Sequence, residues 1–306
     1  MTRISVVTVC YNAAEFIETT LRSVLNQDHE DLEYIVIDGG STDGTQEIIE
    51  RYVNKLSFFV SEKDGGQYEA IQKGLSRATG EVMCFLNADD IYMPWTFSVV
   101  DEIFASNFDV EWIIGQPGFM NRRGQIVEIY AASAAYPRHF VANGWYNRIL
   151  GGFLQQESMF WRRSLWDKTT GLDLSLHFAA DYKLWTSFAQ HANLVAVSLP
   201  LAAFRKLPGE QRSSTCADIY DAEVAQVMQN LQQPPKLWKW ISRRGLVARN
   251  LMRVLIRRHA PVILYDETIG QWRKIITRRP IARISFRELL QKRILKSKKK
   301  ELDYGK

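Results

Sequence analysis

The apolar run Cys84-Phe85-Leu86 stops on Asn87-Ala88-Asp89-Asp90, so a segment of strand character delivers a pair of carboxylates to its carboxyl end. Open α/β sheets bind their ligands at that edge. Hard oxygen donors such as Asp89 and Asp90 suit Mg²⁺ or Mn²⁺, and ions of this kind are most often recruited to hold a diphosphate. A loop carrying two solvated aspartates is the plain alternative for the pair taken alone. Asp38, following Tyr34 to Ile37, and Asp64, following Phe58 to Val60, stand in the same setting as the pair. Glu157, just before the strand-like Met159 to Trp161, is a further carboxylate near such a site. It can contact a ligand held at that edge, or be a buried acid paired with Arg162 or Arg163.

The elements that must position these residues alternate, over the first hundred residues, between short β-rich runs and helical stripes. That pattern belongs to a parallel sheet with crossover helices. Ile4 to Val9 reads as the first strand, and Phe16, Ile17, Leu21, Val24 and Leu25 share one face of the helix after it. Tyr34 to Ile37 resumes a strand, and Asp43 is placed to cap a helix carrying Ile48, Ile49, Tyr52 and Val53. Phe58 to Val60 forms a third strand, Tyr68, Ile71 and Leu75 stripe a third helix closed by Gly80, and Val82 to Leu86 is the fourth strand. Pro94 suits the first turn of another helix, and Val110 to Ile114 follows as a strand. Asp38, Asp64 and Asn87 to Asp90 therefore converge on one edge of one sheet. Residues 115 to 155 carry a hairpin turning at Arg123-Gly124 and an irregular stretch with Gly151 and Gly152. Order returns with the strand Met159 to Trp161 and the helix Asp181 to Phe188, and Pro234-Pro235 marks a boundary. Trp161, Trp166 and Trp185 offer a stacking platform for a ligand, but aromatics at this spacing are more often core.

Composition narrows the class. A chain of 306 residues with 46% hydrophobic content is globular. Cys10, Cys84 and Cys216 are too scattered for a disulfide framework or a zinc site, which fits a reducing cytoplasm. Met1 leads straight into a strand without a signal core, and no apolar run reaches the length of about eighteen residues that spanning a bilayer needs. The expectation is a cytoplasmic protein that neither enters the secretory route nor spans a membrane. Charge is divided: residues 1 to 233 carry 18 Lys+Arg against 29 Asp+Glu, and residues 234 to 306 carry 21 against 5. An acidic body and a basic tail follow.

Absent motifs matter too. There is no G-x-x-x-x-G-K-[ST] loop, and the turn Cys10-Tyr11-Asn12-Ala13-Ala14 lacks the glycines of a dinucleotide site. An aromatic at the first turn and acids at successive strand ends suit a nucleotide held by stacking and by a divalent ion.

Five segments in order resemble the motifs of bacterial family 2 nucleotide-sugar glycosyltransferases: Val6 to Asn12, Asp38 to Thr45, Ser61 to Gly66, Leu86 to Asp90 and Ala180 to Trp185. The resemblance covers roughly residues 3 to 215. It implies a GT-A fold, an α/β nucleotide-binding part at about residues 1 to 115 with an acceptor part at about 116 to 215, and inversion at the anomeric carbon. Carried over by position, Thr8 and Tyr11 would line the base pocket, with Tyr11 stacking on the base and Asp38 bonding the base or ribose. Asp89 would be the ligand of Mg²⁺ or Mn²⁺, with Asp64, Asn87, Asp90 and Glu157 around the donor. Asp181 would be the catalytic base, against the simpler reading of a helix amino-terminal cap. Two positions depart from the family pattern: Asn87 where the first acid is usually Asp, and Gly39 where many relatives carry a second Asp.

Beyond residue 215 the expectation is a basic helical extension. Between Lys236 and Ala260 the apolar Leu237, Trp240, Ile241, Ala248, Leu251, Met252 and Leu255 follow helical spacing, with Arg243, Arg249, Arg253 and Arg257 on other faces. Arg273 to Arg293 and Lys296 to Lys300 prolong the positive charge. Such a helix can lie on an anionic membrane surface, which would place the protein on the inner face of the cytoplasmic membrane beside a lipid-linked acceptor. Nucleic acid is a weaker partner, since no reading module accompanies the charge. A helix packing on the body is the third option. For the whole chain, a metal-dependent nucleotidyltransferase and a catalytically degenerate nucleotide-binding protein stay open beside the transferase.

Overall fold

Every residue of the strand Ile4–Cys10 (β1) is buried, as befits a strand covered on both faces, and its sequence shows no full polar alternation. β1 pairs in parallel with Leu32–Asp38 (β2) on one side and Val82–Asn87 (β4) on the other, and β2 pairs in parallel with Phe58–Ser61 (β3). The register sets Cys10 beside Asp38, Asp38 beside Ser61, and Val9 beside Asn87. Four strands thus end together, and the acidic strand ends meet on one edge as the sequence pattern predicts.

The computed structural model describes residues 1–130, 136–146, 154–210, 215–242, 248 and 257–280. Gly151, Gly152 and much of the basic stretch, including Arg243, Arg249, Arg253 and Lys296 to Lys300, lie outside the described residues.

Helices Ile17–Leu25 (α1), Thr45–Glu50 (α2) and Gln67–Arg77 (α3) make the crossovers, and Thr96–Ser106 (α4) follows β4. At the start of α2, Gly44 (φ 98°) takes the capping position, and Asp43 accepts the Thr45 N–H at 3.1 Å from one residue further out. α3 packs on β1, β2 and β4. A Cβ at Gly74 would stand 2.3 Å from Val7 Cγ1, so the missing side chain lets the helix reach the sheet and fixes its first turn, Gln67 and Tyr68, at the strand ends.

Beyond β4, the strand Met159–Arg162 (β9) runs antiparallel to both β4 and Trp112–Ile114 (β6). Leu194–Val197 (β10), Arg257–Asp266 (β12) and Gln271–Pro280 (β13) complete a nine-stranded, mostly parallel sheet in the order β13-β12-β10-β6-β9-β4-β1-β2-β3. A second sheet joins Ile91–Tyr92 (β5), Ala202–Arg205 (β11), Gly118–Met120 (β7) and Ile126–Ile129 (β8). Its β7–β8 hairpin turns at Arg123-Gly124, with Gly124 at φ 78°, as predicted. The remaining helices are Arg138–Ala142 (α5), Arg163–Trp166 (α6), Ala180–His191 (α7), Ala217–Gln229 (α8) and Lys236–Ser242 (α9).

An aromatic block anchors α7. The Trp185 ring lies parallel to Phe85 at 6.4 Å, stacks on Trp112 at 6.1 Å and meets Trp161 edge-on at 5.6 Å. Trp161 and Trp185 are buried and Trp166 packs against the same core, so the three tryptophans build the interior.

The chain past residue 215 differs from a purely helical extension. α8 and α9 are helical, whereas residues 257 to 280 fold as a hairpin whose first strand pairs in parallel with β10. Pairing with a buried strand encloses Val262 and Ile263 completely, and this tertiary gain overrides the helical spacing read across Arg257 to Ala260. Gly270 (φ 65°) and the Thr268 N–H on Asp266 Oδ1 at 3.0 Å make the turn. The central sheet therefore draws strands from both sides of the expected boundary at residue 215.

Candidate active site

The turn after β1 is tied to the loop after β2. Asn12 sits at φ 48°, a left-handed conformation that asparagine tolerates; its N–H donates to Ser41 Oγ at 2.7 Å and its Oδ1 accepts from the Thr42 N–H at 3.0 Å. This leaves the Tyr11 ring 67% exposed. A Cβ on Gly39 would stand 3.1 Å from Asp64 Oδ2 and 3.4 Å from Tyr11 Cδ2. Tyr11, Gly39 and Asp64 thus lie side by side, an open aromatic ring next to a hydrogen-bond acceptor, the chemistry a nucleobase requires.

Asp38 and Thr8 are both enclosed. Asp38 is buried and accepts from the N–H groups of Gly40 (3.2 Å) and Ser41 (2.9 Å) and from the hydroxyls of Ser41 and Ser61, both at 2.5 Å. Its carboxylate organises the loop that carries Gly39. Thr8 is equally enclosed and accepts the Tyr34 phenol at 3.0 Å.

At the end of β4 the carboxylates gather. Asp90 and Glu157 are buried, and Asp90 Oδ2 and Glu157 Oε1 have no hydrogen-bond partner among the described residues. Burial, then Asp89 and Glu157, push the Asp90 carboxyl well above its ordinary range. Burial, then the charge of Asp89, push Glu157 up to about 8. Asp89, half-buried, is raised by burial as well. Glu157 is not the partner of either nearby arginine: Arg162 bonds Glu81 and the Phe104 and Val110 carbonyls, and Arg163 bonds the Ala78 and Gly80 carbonyls. Orphaned oxygens in a cluster of three carboxylates, set against the guanidinium of Arg205, fit a hard cation. Among the described residues no three His, Cys, Asp or Glu side chains form a cage for one, so one or two carboxylates would have to share it with oxygens of a bound diphosphate.

Asn87 sits beside this cluster in a chain of amides. Its Oδ1 accepts from Gln67 Nε2 at 2.7 Å; with the Gln156 amide turned so that its oxygen faces Asn87, Asn87 Nδ2 donates to it at 3.1 Å and the Gln156 N–H reaches the Phe85 carbonyl at 3.3 Å. The departure from an acid at position 87 is thus matched by neutral partners on two other elements.

Asp181 lies in the first turn of α7, one turn before the anchored Trp185. Ala179 occupies the capping position. Asp181 Oδ1 accepts the Tyr68 phenol and the Tyr182 N–H, both at 2.8 Å. Burial raises the Asp181 carboxyl, opposed mainly by the Tyr68 hydrogen bond. A carboxylate held by one oxygen and made more basic by its surroundings has the form of a general base.

With this geometry in place, the model of Glycosyl transferase family 2 matches residues 5–167. The chain belongs to glycosyl transferase family 2. Residues 88 to 181 of the site straddle the end of the matched region, so Asp181 stands on the fold's geometry and not on the match. This family 2 chain is 40% identical over 90 residues to TuaG of Bacillus subtilis, a glycosyltransferase assigned to teichuronic acid biosynthesis, across 28% of this chain and 36% of that one. It spans about a third of the length of the curated relatives it matches first. Among solved structures, S. aureus TarS 1–349 in complex with UDP-GlcNAc superposes with a TM-score of 0.58 at 21% identity, covering 77% of this chain and 69% of that one. A mannosyltransferase of Pyrobaculum calidifontis with GDP-Man and Mn²⁺ gives 0.55 at 20% identity, covering 79% and 68%. These likenesses establish the GT-A type fold.

Two site residues of this family 2 chain escape the sequence pattern. Arg205, at the end of β11, is buried; its N–H donates to Asp90 Oδ1 at 3.0 Å and its Nε to the Asp89 carbonyl at 2.7 Å, and its guanidinium lies 4.7 Å from the Phe16 ring centre. The apolar run Leu201 to Phe204 stopping on a charge repeats the signal seen before Asp89. Tyr68 reads only as part of a helical stripe, because its partner lies 113 residues away.

Proposed function

We propose that the chain is an inverting glycosyltransferase that moves a sugar from a nucleoside diphosphate sugar to a hydroxyl of a glycan or lipid-linked acceptor, in assembly of bacterial surface polysaccharide or glycolipid. The observation that carries this reading is the convergence, on one sheet edge, of the open Tyr11 ring, the orphaned carboxylates around Asp89, and Asp181 held by Tyr68. Tyr11 and Asp64 receive the base, and residues 1 to 115 hold the donor; residues 116 to 215 present the acceptor. The acceptor oxygen attacks C1 opposite the leaving group, the C1–O bond to the diphosphate breaks, and the acceptor proton passes to Asp181. Its Oδ1 already carries both hydrogen bonds, so Oδ2 receives the proton. No covalent sugar intermediate arises. Asp89, with donor oxygens, would hold Mg²⁺ or Mn²⁺, which supplies Lewis acidity toward the leaving diphosphate.

Thermal unfolding with UDP, GDP, dTDP and CMP, each with Mn²⁺ or with chelator, tests the donor half. One nucleoside diphosphate should raise the unfolding temperature with Mn²⁺ and lose its effect on chelation. No response to any nucleotide would sink the reading.

A membrane surface fits the outer face of α9. Trp238 stacks on Phe140 at 5.1 Å and meets Trp145 at 5.5 Å, while Leu237 and Trp240 remain 61% and 54% exposed beside Lys236 and Lys239. The packing of Trp238 means that the helix both docks on the body and presents an apolar pair with cations. Among the described residues no helix is long and apolar enough to cross a membrane. Co-sedimentation with phosphatidylglycerol vesicles, absent with phosphatidylcholine, is expected, and Leu237→Ser with Trp240→Ser should reduce it about tenfold or more. Equal binding by the double variant would remove α9 from the membrane contact.

A further inference from the structure

The segment entering α7 has no cap of its own, since Ala179 supplies no side-chain bond. Its three successive N–H groups are all taken by one carboxylate from α8. Glu223 Oε1 accepts from His177 at 2.9 Å, and Oε2 accepts from Phe178 at 2.8 Å and Ala179 at 2.9 Å. On the other side, the Phe178 carbonyl faces the Tyr68 phenol at 3.0 Å, the same phenol that reaches Asp181. Val224, next to Glu223, is buried in one cluster with Ala179 and Tyr182. The backbone two to four residues before Asp181 is therefore clamped between α8 and α3.

We infer that Glu223 is a positioning residue for Asp181: by capping residues 177 to 179 from α8 it fixes the carboxylate of the base, and it makes α8, beyond the family-matched region, part of the catalytic unit. This rests on the reading of Asp181 as the base. A purely structural strut would only hold α8 in place. Glu223 also places a negative charge near Asp181 that helps to keep its carboxyl raised, against the hydrogen bonds from Tyr68 of α3 and from the Tyr182 N–H. Tyr220 of α8 also acts on Tyr68.

Glu223→Gln replaces one acceptor oxygen by an NH₂ group that cannot accept, and it removes the charge. In the full chain, the Asp181 carboxyl followed by ¹³C NMR and assigned with Asp181→Asn should titrate at lower pH in this variant. Hydrogen exchange at residues 177 to 179 should speed up. UDP binding with Mn²⁺ should stay unchanged, whereas release of UDP from UDP-GlcNAc should fall about tenfold or more in kcat, as for other small displacements of a reacting group. Glu223→Asp, which keeps the charge on a shorter stem, should speed exchange while leaving the Asp181 titration raised, and it supplies the test where Glu223→Gln does not fold. Wild-type titration and wild-type exchange in Glu223→Gln overturn the inference, and wild-type exchange in Glu223→Asp does the same where that variant stands in. If UDP-GlcNAc is not turned over, titration and exchange decide. Turnover by Asp181→Asn overturns the base reading instead, and a dead Asp181→Asn beside a fully active Glu223→Gln overturns only the role of Glu223.

Discussion

Asp181→Asn is expected to leave nucleotide binding intact while lowering transfer by about 10² to 10⁴-fold, the usual contribution of a positioned proton acceptor. The fold should survive the change. An asparagine oxygen still accepts the Tyr68 phenol and the Tyr182 N–H, and the Trp185 anchor one turn later is untouched. The folded Asp181 carboxyl titrates above its unfolded value, so between the two the folded state binds more protons and stability falls as pH rises. Asn removes that cost, and the variant should melt no earlier than wild type above this window. Activity has the opposite dependence. The base must be ionised, so wild-type kcat should fall as pH drops through the raised value. A rate assay across pH with the donor chosen by the nucleotide screen checks both. Undiminished transfer by the variant sinks the assignment, and a wild type that binds nucleotide yet never turns over would point to a degenerate binding protein.

The sheet edge was legible because its signals are local. An apolar run ending on Asn87-Ala88-Asp89-Asp90, or Tyr34 to Ile37 ending on Asp38, states strand, direction and edge within a few residues. What such runs do not state is which carboxylates face outward. Asp38 and Asp64 look alike in sequence, yet Asp38 is sealed by two backbone N–H groups and two serine hydroxyls, while Asp64 stays partly exposed beside Gly39 and Tyr11. Burial decided between them, and burial is set by residues far away in the chain. The same holds for Arg205 beneath Asp89 and Asp90, for Tyr68 on Asp181, and for Glu223 on the α7 entry, each joined to its partner only by the fold. The hairpin at residues 257 to 280 was hidden for a different reason: the short apolar run Val262 to Tyr265 follows directly on a stretch with helical spacing, and only pairing with β10 separates the two.

Asp89→Ala should abolish the metal-dependent part of donor binding and leave the empty protein at least as stable as wild type. Burial raises the folded Asp89 carboxyl above its unfolded value, so ionised Asp89 opposes folding as pH rises, and alanine removes the opposition. The buried cation beneath is not orphaned by the change. Arg205 Nε bonds the Asp89 backbone carbonyl, and the Arg205 N–H bonds Asp90, so both contacts persist. The loss then falls on the ligand. At a nucleotide concentration 100 times its Kd, wild type with Mn²⁺ should gain about 2.7 kcal/mol, and the variant should gain only what base stacking on Tyr11 supplies without the ion. Thermal unfolding of both proteins with the selected nucleoside diphosphate, with Mn²⁺ and with chelator, separates the cases. A full Mn²⁺-dependent shift in Asp89→Ala would move the ion to Asp90 and Glu157, whose orphaned oxygens are the other hard donors in reach. A shift lost in Asp89→Ala yet indifferent to chelator in wild type would make Asp89 a direct contact to the donor and the site one that works without a metal.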